Sequence, residues 1–133
     1  MIRFVPVEDA RELHDIIIST YGGCPGLLNP AGLASAVAQA QASWEGQYLH
    51  EDLAAMAAAY LFYIARGHPF TDGNKRTAGG VAYCFLLQNG FALSEELEVR
   101  VAYEALVMGV AEGRLSREDA AAFFRDHMMP DTD

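Results

Sequence analysis

The sequence predicts an all-α fold, and three observations carry that prediction. Apolar residues recur at three- and four-residue steps along most of the chain, helix start and stop signals sit at the ends of those runs, and the connections between them are short. The expectation is one compact domain, residues 1–133, built from about six helices at roughly 7–21, 30–43, 51–66, 74–89, 95–112 and 117–128.

The first helix rests on periodicity alone. The second opens at Asn29-Pro30, an N-cap residue followed by proline at the first helical position, where no N–H is needed. In the third, Leu53, Met56, Ala57, Tyr60, Leu61 and Ile64 share one face, and Gly67 marks its end. The fourth follows Asp72-Gly73-Asn74 and is apolar on almost all sides from Ala78 to Leu87, as befits a central helix. Gly79 and Gly80 in its early turns each cost about 1 kcal/mol against alanine, so they point to close packing there. Gly90 ends it. The fifth begins after Ser94, where Glu95, Glu96 and Glu98 suit the positive end of a helix dipole, and stops at Gly113. Ser116 and Asp119 form a capping-box pattern for the sixth, in which Phe123, Phe124 and Met128 are expected core residues. The tail from Met129 to Asp133 is expected to fray.

Composition narrows the function. With 52% hydrophobic residues the chain can bury a real core, and a net charge of -9 argues against a general affinity for nucleic acid or anionic lipid. No apolar run approaches the roughly 20 residues of a membrane span, and the N-terminus lacks a signal-peptide core. The default address is the cytoplasm. Cys24 and Cys84, far apart in sequence, read as buried thiols rather than a disulfide.

The chemistry gathers between residues 66 and 77. A turn there feeds the N-terminus of the fourth helix, whose free N–H groups and dipole form an anion site, and Gly73 lets a phosphate approach the backbone. Arg66, Lys75 and Arg76 are three of only nine basic residues, and Lys75 is the only lysine. In an acidic chain they form the local exception that an anionic ligand requires. His68 can exchange a proton near neutral pH, and Asp72 offers a hard oxygen ligand; magnesium needs only one or two carboxylates beside the substrate's own phosphates. These are the parts of a phosphoryl- or nucleotidyl-transfer site.

The run His68-Pro69-Phe70-Thr71-Asp72-Gly73-Asn74-Lys75-Arg76 resembles the signature of the Fic/Doc family. Lysine at position 75, where Fic adenylyltransferases carry a second glycine, resembles the Doc (death-on-curing) branch. The likeness covers most of the chain: His14 with Tyr21-Gly22-Gly23-Cys24-Pro25-Gly26 is similar to the family's early histidine and glycine turn. Ala65-Arg66-Gly67 and Phe85-Leu86-Leu87-Gln88-Asn89-Gly90 match on either side of the motif. Ala78-Gly79-Gly80 departs from Doc-like sequences, which often carry a bulkier and then a polar residue, so no ligand contact is assigned there.

The resemblance implies a toxin of a toxin–antitoxin pair, a kinase that moves the γ-phosphate of ATP to a threonine of elongation factor Tu and halts translation. His68 would be the base and Asp72 the magnesium ligand. Asn74, Lys75 and Arg76 would hold the phosphates with help from Arg66, and Phe70 would anchor the loop in the core. A Phd-like antitoxin would restrain the protein, since no internal Ser/Thr-x-x-x-Glu-Gly/Asn motif is present. Two other readings stay open: AMP transfer of the Fic type, and a catalytically silent module that only binds its antitoxin.

Outside the motif the structural readings prevail. His14, His50 and His127 lack zinc-type spacing and read as capping or surface residues. Trp44 reads as a core or edge-packing residue, and Tyr48 carries no assigned role.

Overall fold

A computed structural model describes residues 1–132. It has six helices, α1 (Val7–Tyr21), α2 (Pro30–Gln39), α3 (Leu53–Gly67), α4 (Asn74–Gln88), α5 (Leu97–Ala111) and α6 (Arg117–His127). Two short antiparallel pairs complete it: β1 (Ser43–Trp44) with β2 (Gln47–Tyr48), and β3 (Phe91–Leu93) with β4 (Met128–Pro130). The all-α expectation holds.

Local chemistry sets the boundaries. Asn29 caps α2 by accepting from Gly32 N at 2.9 Å, and Asp52 caps α3 by accepting from Ala55 N at 2.8 Å. The capping box at Ser116 and Asp119 is fully formed. The second helix is shorter than expected, because the chain turns at Ala40 and enters a small hairpin through Glu45 and Gly46, both at positive φ. The tail is also more ordered than expected. Met128, Met129 and Pro130 pair with Leu93, Ala92 and Phe91, and Asp131 N donates to Gly90 O at 2.9 Å; Asp133 lies outside the described residues. An edge strand gives those backbone groups partners that a frayed end would seek in water.

Helix α4 packs against α1, α3 and α5, and shares the centre of the bundle with α3, which touches α2, α4, α5 and α6. Alanine makes that position of α3 workable. Ala54, Ala57, Ala58, Ala59 and Ala65 are all buried, so neighbouring helices approach on several sides around Met56, Tyr60, Leu61 and Ile64. The two glycines of α4 do the same. A Cβ at Gly79 would lie 3.1 Å from Val107 Cγ2 of α5, and one at Gly80 would lie 2.9 Å from Leu13 Cδ2 of α1. Close helix packing therefore explains residues whose helix propensity is poor.

Several side chains depart from expectation. His14 and His50, expected as capping or surface residues, are buried at 2% and 8% exposure, and His50 hydrogen-bonds the backbone of Gln39 at the end of α2. Trp44 is 72% exposed, because the two-residue strand β1 has no core face to offer it. Cys24 is an exposed free thiol on the α1–α2 loop, and Cys84 is half-buried, with burial pushing its thiol pKa up.

Candidate active site

The site begins where α3 ends. Gly67 is the last helical residue, and the left-handed C-cap falls instead on His68, at φ 46° and ψ 55°. Non-glycine residues rarely adopt this conformation, although histidine is among the more tolerant. The reversal leaves the imidazole exposed and sends Pro69 and Phe70 into the core, Phe70 to 2% exposure. Phe70 anchors the loop as expected.

Asn74 closes the turn from the other side. Its Oδ1 accepts from Phe70 N and its Nδ2 donates to Phe70 O, both at 2.9 Å. This side chain is thus a bracket for the loop, and the group it leaves for a ligand is its backbone N–H. Gly73 caps α4 in the left-handed region at φ 77° with no side-chain cap. The first helical bond is Thr77 N to Gly73 O, so the N–H groups of Asn74, Lys75 and Arg76 have no acceptor among the described residues. Three parallel donors at the positive end of a helix form a ready cradle for phosphate oxygens.

Asp72 stands beside that cradle, held at three atoms. Its Oδ2 accepts from Cys24 N at 3.1 Å, its Oδ1 from Gly73 N at 2.9 Å, and its carbonyl from His14 Nε2 at 2.7 Å. The Cys24 N–H, followed by that of Gly73, holds the carboxyl below the ordinary aspartate range, with smaller help from the charges of His14 and Arg76. Gly23 is needed for this contact: its φ is 118°, and a Cβ there would meet Asp72 Oδ2 at 2.6 Å. The side chain should titrate below an ordinary, unpaired aspartate when followed by NMR. Because the folded value is the lower one, ionised Asp72 stabilises the fold above the unfolded pKa, and that contribution is lost as pH falls through the folded pKa. A midpoint at or above that of an unpaired aspartate would contradict the two-donor geometry.

The α1–α2 loop is the wall that makes this possible. Leu27 bridges antiparallel to Phe70, Leu28 N and Asn29 N both donate to Pro69 O at 2.9 and 3.0 Å, and Thr71 N donates to Gly26 O at 3.0 Å. The glycine turn therefore lies along the motif loop.

The cations take separate directions. Lys75 Nζ rests 3.3 Å from Met108 Sδ of α5, and the Arg76 guanidinium lies 4.2 Å above the ring of Tyr21 at the end of α1. Arg66 lies over Phe62 at 5.5 Å and faces Gly113 at the α5–α6 turn. Arg114, Arg117 and Arg125 pair with carboxylates, whereas Arg66, Lys75 and Arg76 form no ion pair among the described residues. A thioether and ring faces are weak partners that an anion can displace. The fold thus gathers His68, Asp72, Gly73, Asn74, Lys75 and Arg76 around one helix end, with Arg66 engaged outside the motif loop.

A cavity of about 620 Å³ lies elsewhere, between Met1, Tyr48, His50, Asp52 and Asn89. It contains none of the motif residues, and its two carboxylates, Glu51 and Asp52, are paired with Arg125. Among the described residues no group of three His, Cys, Asp or Glu side chains gathers as a metal cluster. Magnesium does not require one, and the ionised, exposed Asp72 beside a phosphate cradle fits its needs.

The Fic/DOC family model matches residues 4–86, which carry α1 through most of α4 and the whole motif. The chain belongs to the Fic/Doc family. It is 36% identical over 124 residues to "Protein kinase doc" of Escherichia phage P1, a match covering 93% of this chain and 94% of that protein. It is 43% identical over 99 residues to "Toxin Doc" of Mycolicibacterium smegmatis, covering 74% of each. The chain therefore lies on the Doc side of the Fic/Doc family. The longer match extends beyond residue 86, so the likeness includes parts of the α5–α6 layer that closes over α3.

His14, Tyr21, Cys24 and Met108 were not assigned to the site from the sequence. The run Tyr21-Gly22-Gly23-Cys24-Pro25-Gly26 held the signal for Tyr21 and Cys24, since so many glycines in one turn imply a close backbone approach. Nothing local marks His14 or Met108.

Proposed function

We propose that this chain is a Doc-type toxin acting as a protein kinase, one domain that transfers the γ-phosphate of ATP to a threonine of elongation factor Tu and so halts translation. The observation that carries this reading is the open row of N–H groups at Asn74, Lys75 and Arg76, flanked by the exposed His68 and the ionised Asp72. The names of the two relatives, a kinase and a toxin, support the same reading.

In this mechanism the ATP phosphates sit against the start of α4, with Gly73 leaving room for their approach. Lys75 leaves Met108 and Arg76 leaves Tyr21 to meet the charge, and Arg66 assists from the end of α3. Asp72 would hold magnesium, which would supply charge neutralisation at the phosphates. His68 takes the proton from the threonine Oγ, that oxygen forms the new bond to the γ-phosphorus, and the bond to the ADP oxygen breaks. The bracket from Asn74 to Phe70 keeps His68 and Asp72 at a fixed separation during the transfer. A Phd-like antitoxin is the proposed restraint. The cytoplasm is the proposed location, and no helix is long and apolar enough to cross a membrane among the described residues.

Elongation factor Tu incubated with the protein and ATP labelled at either the γ- or the α-phosphorus tests the reading. Label is expected from the γ-position only. Label from the α-position would replace kinase activity with AMP transfer, and label from neither would leave an antitoxin-binding module.

A further inference from the structure

His14 is a buried imidazole for which the proposed mechanism has no use. It lies in α1, outside the motif, and a polar ring is costly in such a place without a hydrogen bond. Its contacts are specific. The ring stacks on Phe70 with centroids 3.7 Å apart and planes within 7°, and Nε2 lies 2.7 Å from the carbonyl oxygen of Asp72. A carbonyl can only accept, so the proton is on Nε2. Asp15 of the same helix lies 3.9 Å from Nδ1, beyond a hydrogen bond.

The peptide unit that His14 grips explains its importance. The carbonyl of Asp72 and the N–H of Gly73 belong to one rigid plane, so fixing the first fixes the second. That N–H donates to Asp72 Oδ1 at 2.9 Å. Gly73, at φ 77°, gives the turn little resistance to a flip of this plane, and a flip would swing the N–H away from the carboxylate. Ile18, one turn along α1, packs on the same turn: a Cβ at Gly73 would lie 3.2 Å from its Cδ1. We infer that His14 is a positioning residue that locks the Asp72–Gly73 peptide plane and thereby holds the Asp72 carboxylate in its binding orientation. A hydrophobic residue at position 14 could fill the space and stack on Phe70, but could not hold the plane.

Amide hydrogen exchange tests this on the protein without nucleotide. His14→Phe keeps an aromatic ring and loses the donor, whereas His14→Gln keeps a donor near Nε2 and loses the ring. The Gly73 amide is expected to exchange about tenfold faster in H14F than in the wild type, and within about threefold of the wild type in H14Q, on the scale of one lost hydrogen bond. Equal protection of Gly73 in all three proteins, or equal loss in both variants, overturns the inference. Should H14F not fold, the wild type still decides: the His14 Nε2 proton must be observable and protected from exchange, and a freely exchanging proton overturns the inference. A kinetic arm rests on the proposed function. There, H14F should raise the magnesium needed for half-maximal transfer by about tenfold, with kcat at saturating magnesium nearly restored. Absence of transfer in the wild type would count against the kinase reading, while the exchange result would still judge His14.

Discussion

His68→Ala is expected to lower γ-phosphate transfer by about 10²–10⁴-fold, the contribution of a positioned general base, with the helical signal of the protein unchanged. The fold should survive because the imidazole is exposed and makes no hydrogen bond to the loop among the described residues. The left-handed backbone at φ 46° is also available to alanine, although histidine tolerates it better. The readout is label transfer at saturating ATP, alongside circular dichroism. Transfer within about threefold of the wild type would remove His68 from the mechanism, since a positioned base contributes far more than that.

Phe70→Ala is expected to cost about 3–5 kcal/mol of stability, as large-to-small changes at fully buried aromatic sites do. Against a typical total of about 5–15 kcal/mol, this would move the urea midpoint substantially. Phe70 is 2% exposed, is stacked on by His14, and bridges to Leu27 through the backbone. Its removal opens a cavity under the loop and deprives His14 of its stacking surface. Transfer should fall along with stability, because Asn74 brackets this residue. A loss below about 1 kcal/mol would mean that the loop is held by its backbone bonds alone.

The helices were legible because their signals are local. Asn29-Pro30, Ser116 with Asp119 and the face of Leu53, Met56, Tyr60 and Ile64 each work within one or two turns, and all formed where the sequence placed them. The strands β3 and β4 were not legible, because each is only three residues long and takes its partner from far along the chain. A period-two pattern cannot develop over three residues. The same distinction runs through the site. His68, Asp72, Lys75 and Arg76 were visible as a run of unusual chemistry, and their placement at the start of α4 follows from Asp72-Gly73-Asn74. What remained hidden depends on contacts across the fold. The side-chain amide of Asn74 turns to Phe70 and leaves only its backbone N–H for a phosphate, and His14, expected as a capping or surface residue, lies under Asp72, 58 residues away. Sequence spacing reports residue type and local register, and neither reveals which backbone carbonyl a distant imidazole will meet.

Backbone NMR with a non-hydrolysable ATP analogue and magnesium tests most directly whether the start of α4 receives the phosphates. The largest amide shifts are expected at Asn74, Lys75 and Arg76, with a second set at Cys24 and Gly73 reporting on Asp72. Shifts that leave those five residues unmoved and gather instead around Tyr48, His50 and Asp52 would place the nucleotide in the other cavity and contradict the account.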